Sequence, residues 1–224
     1  EQIKRYGDKI KFAFYFSGIA IEQMQQYAPD ALESFKELVK TGNVEVLAGT
    51  YAHSTVSLHN KEVFKKQVTE HKKLMKEIFG VTPKTFVNTE LIYSNEIGAD
   101  VAEMGFNLMA TEGAKHVLGW KSPNYLYANS INPKLRLLLR NYKLSDALSL
   151  NFVNNSLTTE SFVEKLKECN EEVVNIFANY ETFGENYDVS TGIIDFMKYL
   201  PEAIFNNTDF EYAKPIEMLD KLQT

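Results

Sequence analysis

Cysteine is nearly absent from this chain: Cys169 is the single one among 224 residues, which excludes a disulfide framework. No run of eighteen apolar residues occurs, so the sequence offers no segment to span a membrane. Clusters of basic residues are also missing, and 30 acidic against 24 basic side chains give a formal net charge of -6. Nucleic acid is therefore an unsuitable partner, because phosphate binding requires a basic surface.

A start methionine and a signal-like segment are missing as well, since the sequence begins at Glu1. We therefore expect residues 1–224 to be a single domain from a longer chain, with a cytoplasmic location. Hydrophobic residues make up 44% and charged residues 24%, a globular composition that supports a sizeable core. The oligomeric state stays open.

Short apolar runs alternate with longer amphipathic ones along the chain. The predicted strands are residues 10–16, 44–48, 85–87, 108–110, 135–139 and 173–177. The predicted helices are residues 21–39, 61–79, a segment from Ser94 to Gly105, 159–169, 191–200 (stopped by Pro201) and 215–222. This alternation predicts a parallel sheet, either closed as a barrel or open and doubly wound. Polar residues follow nearly every strand and no G-x-G-x-x-G follows the first, so we favour the barrel.

Two predicted strand ends carry carboxylates, in residues 88–93 (NTELIY) and 179–184 (NYETFG). A carboxylate directly after an apolar strand lies at the mouth of a barrel, where its orientation and pKa can be tuned. Cleavage of a glycosidic bond with retention needs two such groups about 5 Å apart, one nucleophile and one acid/base. Glu90 can supply the nucleophile, or it can simply cap the helix that starts near Ser94.

Several strings of this sequence resemble the α-amylase branch of glycoside hydrolase family 57. They are residues 42–47 (GNVEVL), 88–93 (NTELIY), 111–114 (TEGA), 116–120 (HVLGW), 122–125 (SPNY), 138–146 (LLRNYKLSD) and 180–185 (YETFGE). The resemblance implies an incomplete seven-stranded (β/α) barrel and a retaining mechanism on α-glucans, with no metal or other cofactor. By position, Glu90 matches the nucleophile of that family.

The sequence also departs from that family. The acid/base of the family is an Asp two residues before the Glu of Glu-Thr-Phe-Gly, and here that position is Asn179. An amide can neither protonate a leaving oxygen nor deprotonate a water, so we expect hydrolysis to be impaired or absent. Ala147 and Asn151 replace an acid and an arginine of the family, and its early His-Gln-Pro motif and first strand are absent here.

The residues expected to bind substrate are His53, Trp120, Tyr93, Glu181, Phe183 and Asp146. The aromatic members can stack on a sugar ring, and His53 can hydrogen-bond a sugar hydroxyl. His71 lies on the apolar face of a predicted helix and is interpreted as a core histidine. His59 and His116 show no zinc-ligand spacing, so no metal site is predicted.

Three alternatives stay open at this point. The chain can be a glycan-binding or regulatory homologue without catalysis, which Asn179 favours and an intact Glu90 motif does not. It can retain activity by using Glu181 or Glu185 as a substitute acid. A polysaccharide deacetylase of similar barrel type is a further rival, although it would need a metal-binding histidine pair.

Overall fold

The computed structural model describes residues 2–222 as a mixed α/β fold. Its strands are β1 Phe12–Phe14, β2 Val44–Val46, β3 Thr85–Val87, β4 Leu108–Glu112, β5 Tyr127–Ala128 and β6 Arg136–Arg140. Its α-helices are α1 Gln2–Tyr6, α2 Gly18–Tyr27, α3 Pro29–Lys40, α4 Lys61–Phe79, α5 Asn95–Glu103, α6 Lys115–Leu118, α7 Tyr142–Ser149, α8 Thr159–Lys167, α9 Ile193–Asn207 and α10 Met218–Lys221. Short 3₁₀ turns include Thr89–Leu91, which comes after β3, and Tyr180–Thr182, which comes between α8 and α9.

Apart from β5, which pairs antiparallel with β6 at the edge, the strands pair in parallel and in chain order. β1 pairs with β2, and β3, β4 and β6 pair in turn, all in parallel. Ala48 joins the two parts, because its amide donates to the Thr85 carbonyl at 2.9 Å and its carbonyl accepts from the Val87 amide at 2.8 Å. Beyond β6, a parallel bridge between Arg140 and Asn175 adds one more position. The predicted parallel α/β architecture is therefore confirmed.

Helix α4 shows why the flanking helices form where they do. Its N-terminus is capped by the Asn60 side chain, and Gly80 ends it in a left-handed conformation with φ 73°. Its buried residues, among them Phe64, Val68 and Met75, recur at helical spacing and face the core. Phe64 packs edge-on against Phe86 of β3 at 5.8 Å between ring centroids, so this helix fixes the strand that leads to Glu90.

Two predicted helices differ from the observed ones at proline. Residues 21–39 belong to two helices, α2 and α3, rather than one. Pro29 is the first residue of α3, where a backbone amide has no acceptor within the helix, so proline loses no hydrogen bond there. Helix α2 ends before this proline. Pro201 lies inside α9 and does not stop it. Burial of Phe196, Leu200 and Ile204 in one apolar cluster outweighs the lost backbone hydrogen bond.

The sequence prediction was also wrong on both sides of β6. Residues 173–177 were expected to form a strand, yet only the single bridge at Asn175 forms. Within residues 2–222 this segment pairs with a strand on one side only. Fewer interstrand hydrogen bonds therefore fix its backbone than fix that of an inner strand. The connection from 113 to 133, in which no helix or strand was predicted, contains α6 and the antiparallel strand β5.

The C-terminal segment packs at the end of the sheet opposite Glu90. Residues 215–222, predicted as one helix, form a 3₁₀ turn at Pro215–Glu217 followed by α10. The Ile216 amide donates to the buried Glu45 carboxylate at 2.8 Å, and Lys11 pairs with Glu217 at 2.9 Å. Among the described residues, every helix falls short of the length or apolarity that a membrane crossing requires.

Candidate active site

Side chains from successive strand ends line one cavity of about 1560 Å³. Five of the residues singled out from the sequence line it: His53, Glu90, Asn179, Glu181 and Phe183. His53 follows β2, Glu90 follows β3 and Asn179 follows the parallel bridge at Asn175, so the parallel order of these segments places them at the same end of the sheet. The cavity also extends to the opposite end, where Pro215 and Met218 line it.

Glu90 lies on a strained turn directly after β3. Glu90 and Leu91 both have left-handed backbones, with φ 53° and 54°. For such residues this conformation costs about 1–3 kcal/mol each, and it persists only where surrounding contacts enforce it. One such contact comes from the buried Asn88, whose amide donates to the Ile92 carbonyl at 2.9 Å and to the Ser57 hydroxyl at 2.9 Å. The turn therefore holds the Glu90 side chain, which is 71% exposed, at the cavity.

The alternative interpretation of Glu90 as a helix cap is wrong. Helix α5 is capped by the Ser94 hydroxyl, which accepts from the Ile97 amide at 3.2 Å, as the sequence predicted for that serine. Glu96 occupies the first turn, where local hydrogen bonds hold the pKa of its carboxyl below the ordinary value. The carboxylate of Glu90 is thus free of a capping role.

His53 faces Glu90 across the cavity mouth. Its Nε2 lies 3.2 Å from Glu90 Oε1, and its own backbone is left-handed, with φ 50°. An imidazole at this distance orients the carboxylate through a hydrogen bond, and it pairs with it electrostatically when protonated. The structure thus brings together two residues that the sequence assigned to separate roles.

Arg140 is a candidate site residue that the sequence patterns did not single out. Its side chain is 14% exposed, and its guanidinium contacts Glu112 at 3.3 Å and Asp146. Arg140 and Glu112 line the cavity, whereas Asp146 reaches it only through Arg140. The position of Arg140 directly after the apolar run 137–139 was the pattern that could have identified it.

Asn179 begins the 3₁₀ turn Tyr180–Thr182. Its carbonyl accepts from the Thr182 amide at 3.1 Å, and its side chain makes no cap hydrogen bond, so the amide is exposed at the cavity. Glu181 shares this turn and accepts from the Asn186 amide through its carbonyl at 2.7 Å. Phe183 packs against the apolar cluster of α7, α8 and α9 and anchors the turn.

Two predicted substrate-binding aromatics lie away from the cavity lining. Trp120 is 92% exposed on the connection after β4, next to Gly119 with its φ of 62°. The Tyr93 hydroxyl accepts from Asn129 Nδ2 at 2.7 Å and donates to Asn95 Oδ1 at 3.0 Å. The structure therefore does not bring Trp120 and Tyr93 together with Glu90, and their contact with substrate stays a prediction.

Buried His71 contacts the backbone of Phe16 and Gly49, and its interpretation as a core residue is confirmed. Its ring lies 2.6 Å from the Phe16 carbonyl through Nε2, and its Nδ1 accepts from the Gly49 amide at 3.4 Å. This pattern requires the neutral ring with the proton on Nε2. Burial lowers the pKa of His71, because the charged form would lose its hydration.

The lowered pKa of His71 predicts an acid-sensitive fold. The contribution of neutral His71 to the free energy of unfolding is complete above the unfolded-state pKa of about 6.5. It is lost as the pH falls towards the folded-state pKa, at a rate of up to about 1.4 kcal/mol per pH unit. Burial raises the pKa of Glu45 and gives the opposite trend, so the comparison needs a matched variant. Urea unfolding from pH 7.5 to 4.5 should show a steeper acid loss for the parent than for His71→Gln. Parallel curves would contradict this assignment.

Among residues 2–222, no group of three or more His, Cys, Asp or Glu side chains is arranged to hold a metal ion. The lining of the cavity includes the carboxylates of Glu90, Glu112 and Glu181, the His53 imidazole, the Asn179 amide and the partly buried Arg140 guanidinium.

Comparison with solved structures shows the fold. The structure of 4-alpha-glucanotransferase from Thermococcus litoralis matches with a TM-score of 0.78 at 19% identity, over 99% of this chain and 35% of that one. A GH57-type branching enzyme from Pyrococcus horikoshii matches with a TM-score of 0.73 at 13% identity, over 100% of this chain and 62% of that one. These neighbours are (β/α)7-barrel enzymes, which confirms the predicted fold class.

A third neighbour bears on the deacetylase alternative. The protein described as "putative polysaccharide deacetylase from Mycobacterium smegmatis" matches with a TM-score of 0.64 at 14% identity, over 99% of this chain and 76% of that one. At this identity the likeness concerns the fold alone.

Comparison of sequences identifies the family. A curated relative from Methanocaldococcus jannaschii, named "Putative alpha-amylase", is 40% identical over 229 residues, which are 100% of this chain and 48% of that protein. The chain thus spans about half the length of that relative. The sequence model of Glycosyl hydrolase family 57 matches residues 1–224. A family match and a relative that both extend over the whole chain show that the protein belongs to glycosyl hydrolase family 57.

Proposed function

We propose that this domain carries an α-amylase-like, glucan-directed site in which Glu90 is the nucleophile of a retaining mechanism. The observation that supports this most is the strained turn after β3, which holds the Glu90 carboxylate at the cavity and against His53. A role limited to packing gives no reason to maintain two left-handed residues beside an exposed carboxylate.

The first chemical step uses Glu90 alone as the covalent partner. One carboxylate oxygen attacks the anomeric carbon of a glucosyl unit, the bond to the leaving oxygen breaks, and a glycosyl ester of Glu90 forms. A hydrogen bond from His53 would orient the carboxylate for this attack. A water then attacks the ester and releases the sugar with its original anomeric configuration.

Both steps need a proton transfer that Asn179 cannot provide. In the first step the leaving sugar oxygen takes up a proton, and in the second the attacking water loses one. General acid/base assistance contributes typically about 10²–10⁴-fold, so we propose that plain glucans react slowly here. Glu181 lines the same cavity and is proposed to bind substrate, as is Asp146 through Arg140.

An aryl α-maltoside tests this proposal directly. A good leaving group such as a chloronitrophenol departs without protonation, so glycosylation of Glu90 can proceed while hydrolysis of the ester stalls. We expect a burst of about one equivalent of phenol per protein, and little turnover of maltopentaose. Steady turnover of both sugars would contradict the proposed loss of acid/base assistance. If neither sugar reacts, the assignment of Glu90 as the nucleophile is contradicted.

A glycan-binding domain without catalysis is the second candidate, and Asn179 is the observation that favours it. Calorimetric titration with maltoheptaose separates the two candidates when it is run beside the burst assay. Saturable binding without a burst would support the binding domain. A burst would exclude it.

A further inference from the structure

A pair of buried hydroxyls lies directly beneath the His53–Glu90 contact. Thr50 Oγ1 and Thr89 Oγ1 are 2.9 Å apart, and the two residues are 0% and 3% exposed. Thr50 precedes the turn that carries His53, and Thr89 immediately precedes Glu90. This hydrogen bond therefore connects the two segments at their bases.

Thr50 fixes the turn on its own side through several contacts. Its hydroxyl accepts from the Ser54 amide at 3.0 Å, and its carbonyl accepts from the His53 amide at 3.3 Å. The same carbonyl accepts from the Tyr15 hydroxyl at 2.9 Å. The left-handed residue of this turn, His53, is thus enclosed between Thr50 and Ser54.

Thr89 fixes the second turn in the same manner. Its carbonyl accepts from the Ile92 amide at 3.1 Å, which closes the turn around the left-handed residues Glu90 and Leu91. The Thr111 hydroxyl donates to the Leu91 carbonyl at 3.0 Å and supports this turn from β4. Three of the four non-glycine residues with positive φ in residues 2–222 therefore lie on the two turns that the threonine pair connects.

We propose that Thr50 and Thr89 form a positioning pair that keeps His53 aligned with Glu90 for nucleophilic attack. The proposal rests on the function assigned above to Glu90. The threonines do not touch the substrate in this account, because they are buried below the cavity floor and act only through the backbone turns. Loss of either hydroxyl leaves the other without its partner and frees the two turns to separate.

Valine and serine substitutions test the pair. Thr50→Val and Thr89→Val remove a hydroxyl at nearly constant shape, whereas Thr50→Ser retains it. Displacement of a reacting group by about 1 Å can cost 100-fold, so each valine variant should slow the phenol burst by about 10- to 100-fold at saturating aryl α-maltoside. The apparent affinity should change little, and Thr50→Ser should retain most of the rate. Both single variants remove the hydrogen bond between the two threonines, and Thr50→Val also removes the acceptor of the Ser54 amide. The double valine variant should therefore be no slower than Thr50→Val.

A spectroscopic readout makes the test independent of catalysis. The chain has 4 histidines, so the ring ¹⁵N signals of His53 can be assigned with His53→Gln. Glu90→Gln defines how these signals change when the carboxylate is lost. We expect Thr50→Val and Thr89→Val to shift them in the same direction. Thr85→Val is the matched control, because it removes a buried hydroxyl that donates to Glu45 at 2.5 Å. Thr85 lies at the start of β3, whereas Glu90 follows the end of that strand. This control variant should lower the unfolding midpoint and leave the His53 signals unchanged.

The two readouts separate this proposal from the function on which it rests. A burst that persists at the parental rate in both valine variants, with unchanged His53 signals, would overturn the positioning pair and leave Glu90 as nucleophile. Absence of a burst in the parent, together with shifted His53 signals in both valine variants, would retain the pair and overturn the catalytic function. If one valine variant fails to fold, the other decides, because each removes one side of the same hydrogen bond.

Discussion

Replacement of Asn179 by Asp is expected to raise steady turnover of maltopentaose by about 10²–10⁴-fold. The carboxyl would supply the proton that the leaving oxygen needs and would then accept a proton from the attacking water. Asp and Asn have nearly the same shape, so this substitution changes the chemistry of one exposed group at the cavity and little else. The release of reducing ends from maltopentaose measures the gain.

The fold should tolerate this change. The Asn179 side chain makes no cap hydrogen bond, and Asp is favourable at the start of a helical turn. We expect the unfolding free energy to change by no more than about 0.5 kcal/mol. Asn155→Asp is the matched control, because Asn155 is an exposed asparagine outside the cavity. A gain of similar size in both variants, or no gain in Asn179→Asp while the parent still gives a burst, would contradict the assigned position.

Replacement of Glu90 by Gln is expected to remove the phenol burst, with a loss of at least ~10³-fold in its rate. A neutral amide oxygen is too weak a nucleophile to displace the aryl group. The change retains the length of the side chain and the backbone of the strained turn, so the cavity should persist. Maltoheptaose should therefore still bind, which separates loss of chemistry from loss of the site.

The control for this variant is Glu62→Gln, which neutralises an exposed carboxylate in the first turn of α4. It should retain the parental burst. A burst in Glu90→Gln at the parental rate would show that another carboxylate attacks the sugar. Glu112 would then be the first candidate, because it lines the same cavity at the end of the neighbouring strand β4.

Local patterns predicted the elements that position Glu90. The spacing of apolar residues identified α4, and Ser94 and Gly105 marked the limits of α5 because capping depends on a few neighbouring residues. Strand β3 was predicted with its observed limits. The convergence of polar residues at the strand ends followed from the parallel order, which the alternation of strands and helices implies.

Features that depend on distant contacts could not be predicted. The positive φ values of Glu90 and Leu91 arise from contacts with β4 and with the turn at Thr50, and neither residue type favours them. The connection between Thr50 and Thr89 spans 39 positions of the sequence. Local preference opposes an internal proline and so predicts a helix stop at Pro201, yet the tertiary burial of α9 overrides that preference.

Mass spectrometry of the stalled protein can identify the nucleophile by the site of its covalent adduct. After brief incubation with the aryl α-maltoside, acid quench and proteolysis, we expect one maltosyl adduct on the peptide that contains Glu90, located at that carboxylate. Glu90→Gln treated in the same way should carry no adduct. Phenol release without an adduct, or an adduct on Glu112 or Glu181, would contradict the assignment of Glu90 as the nucleophile.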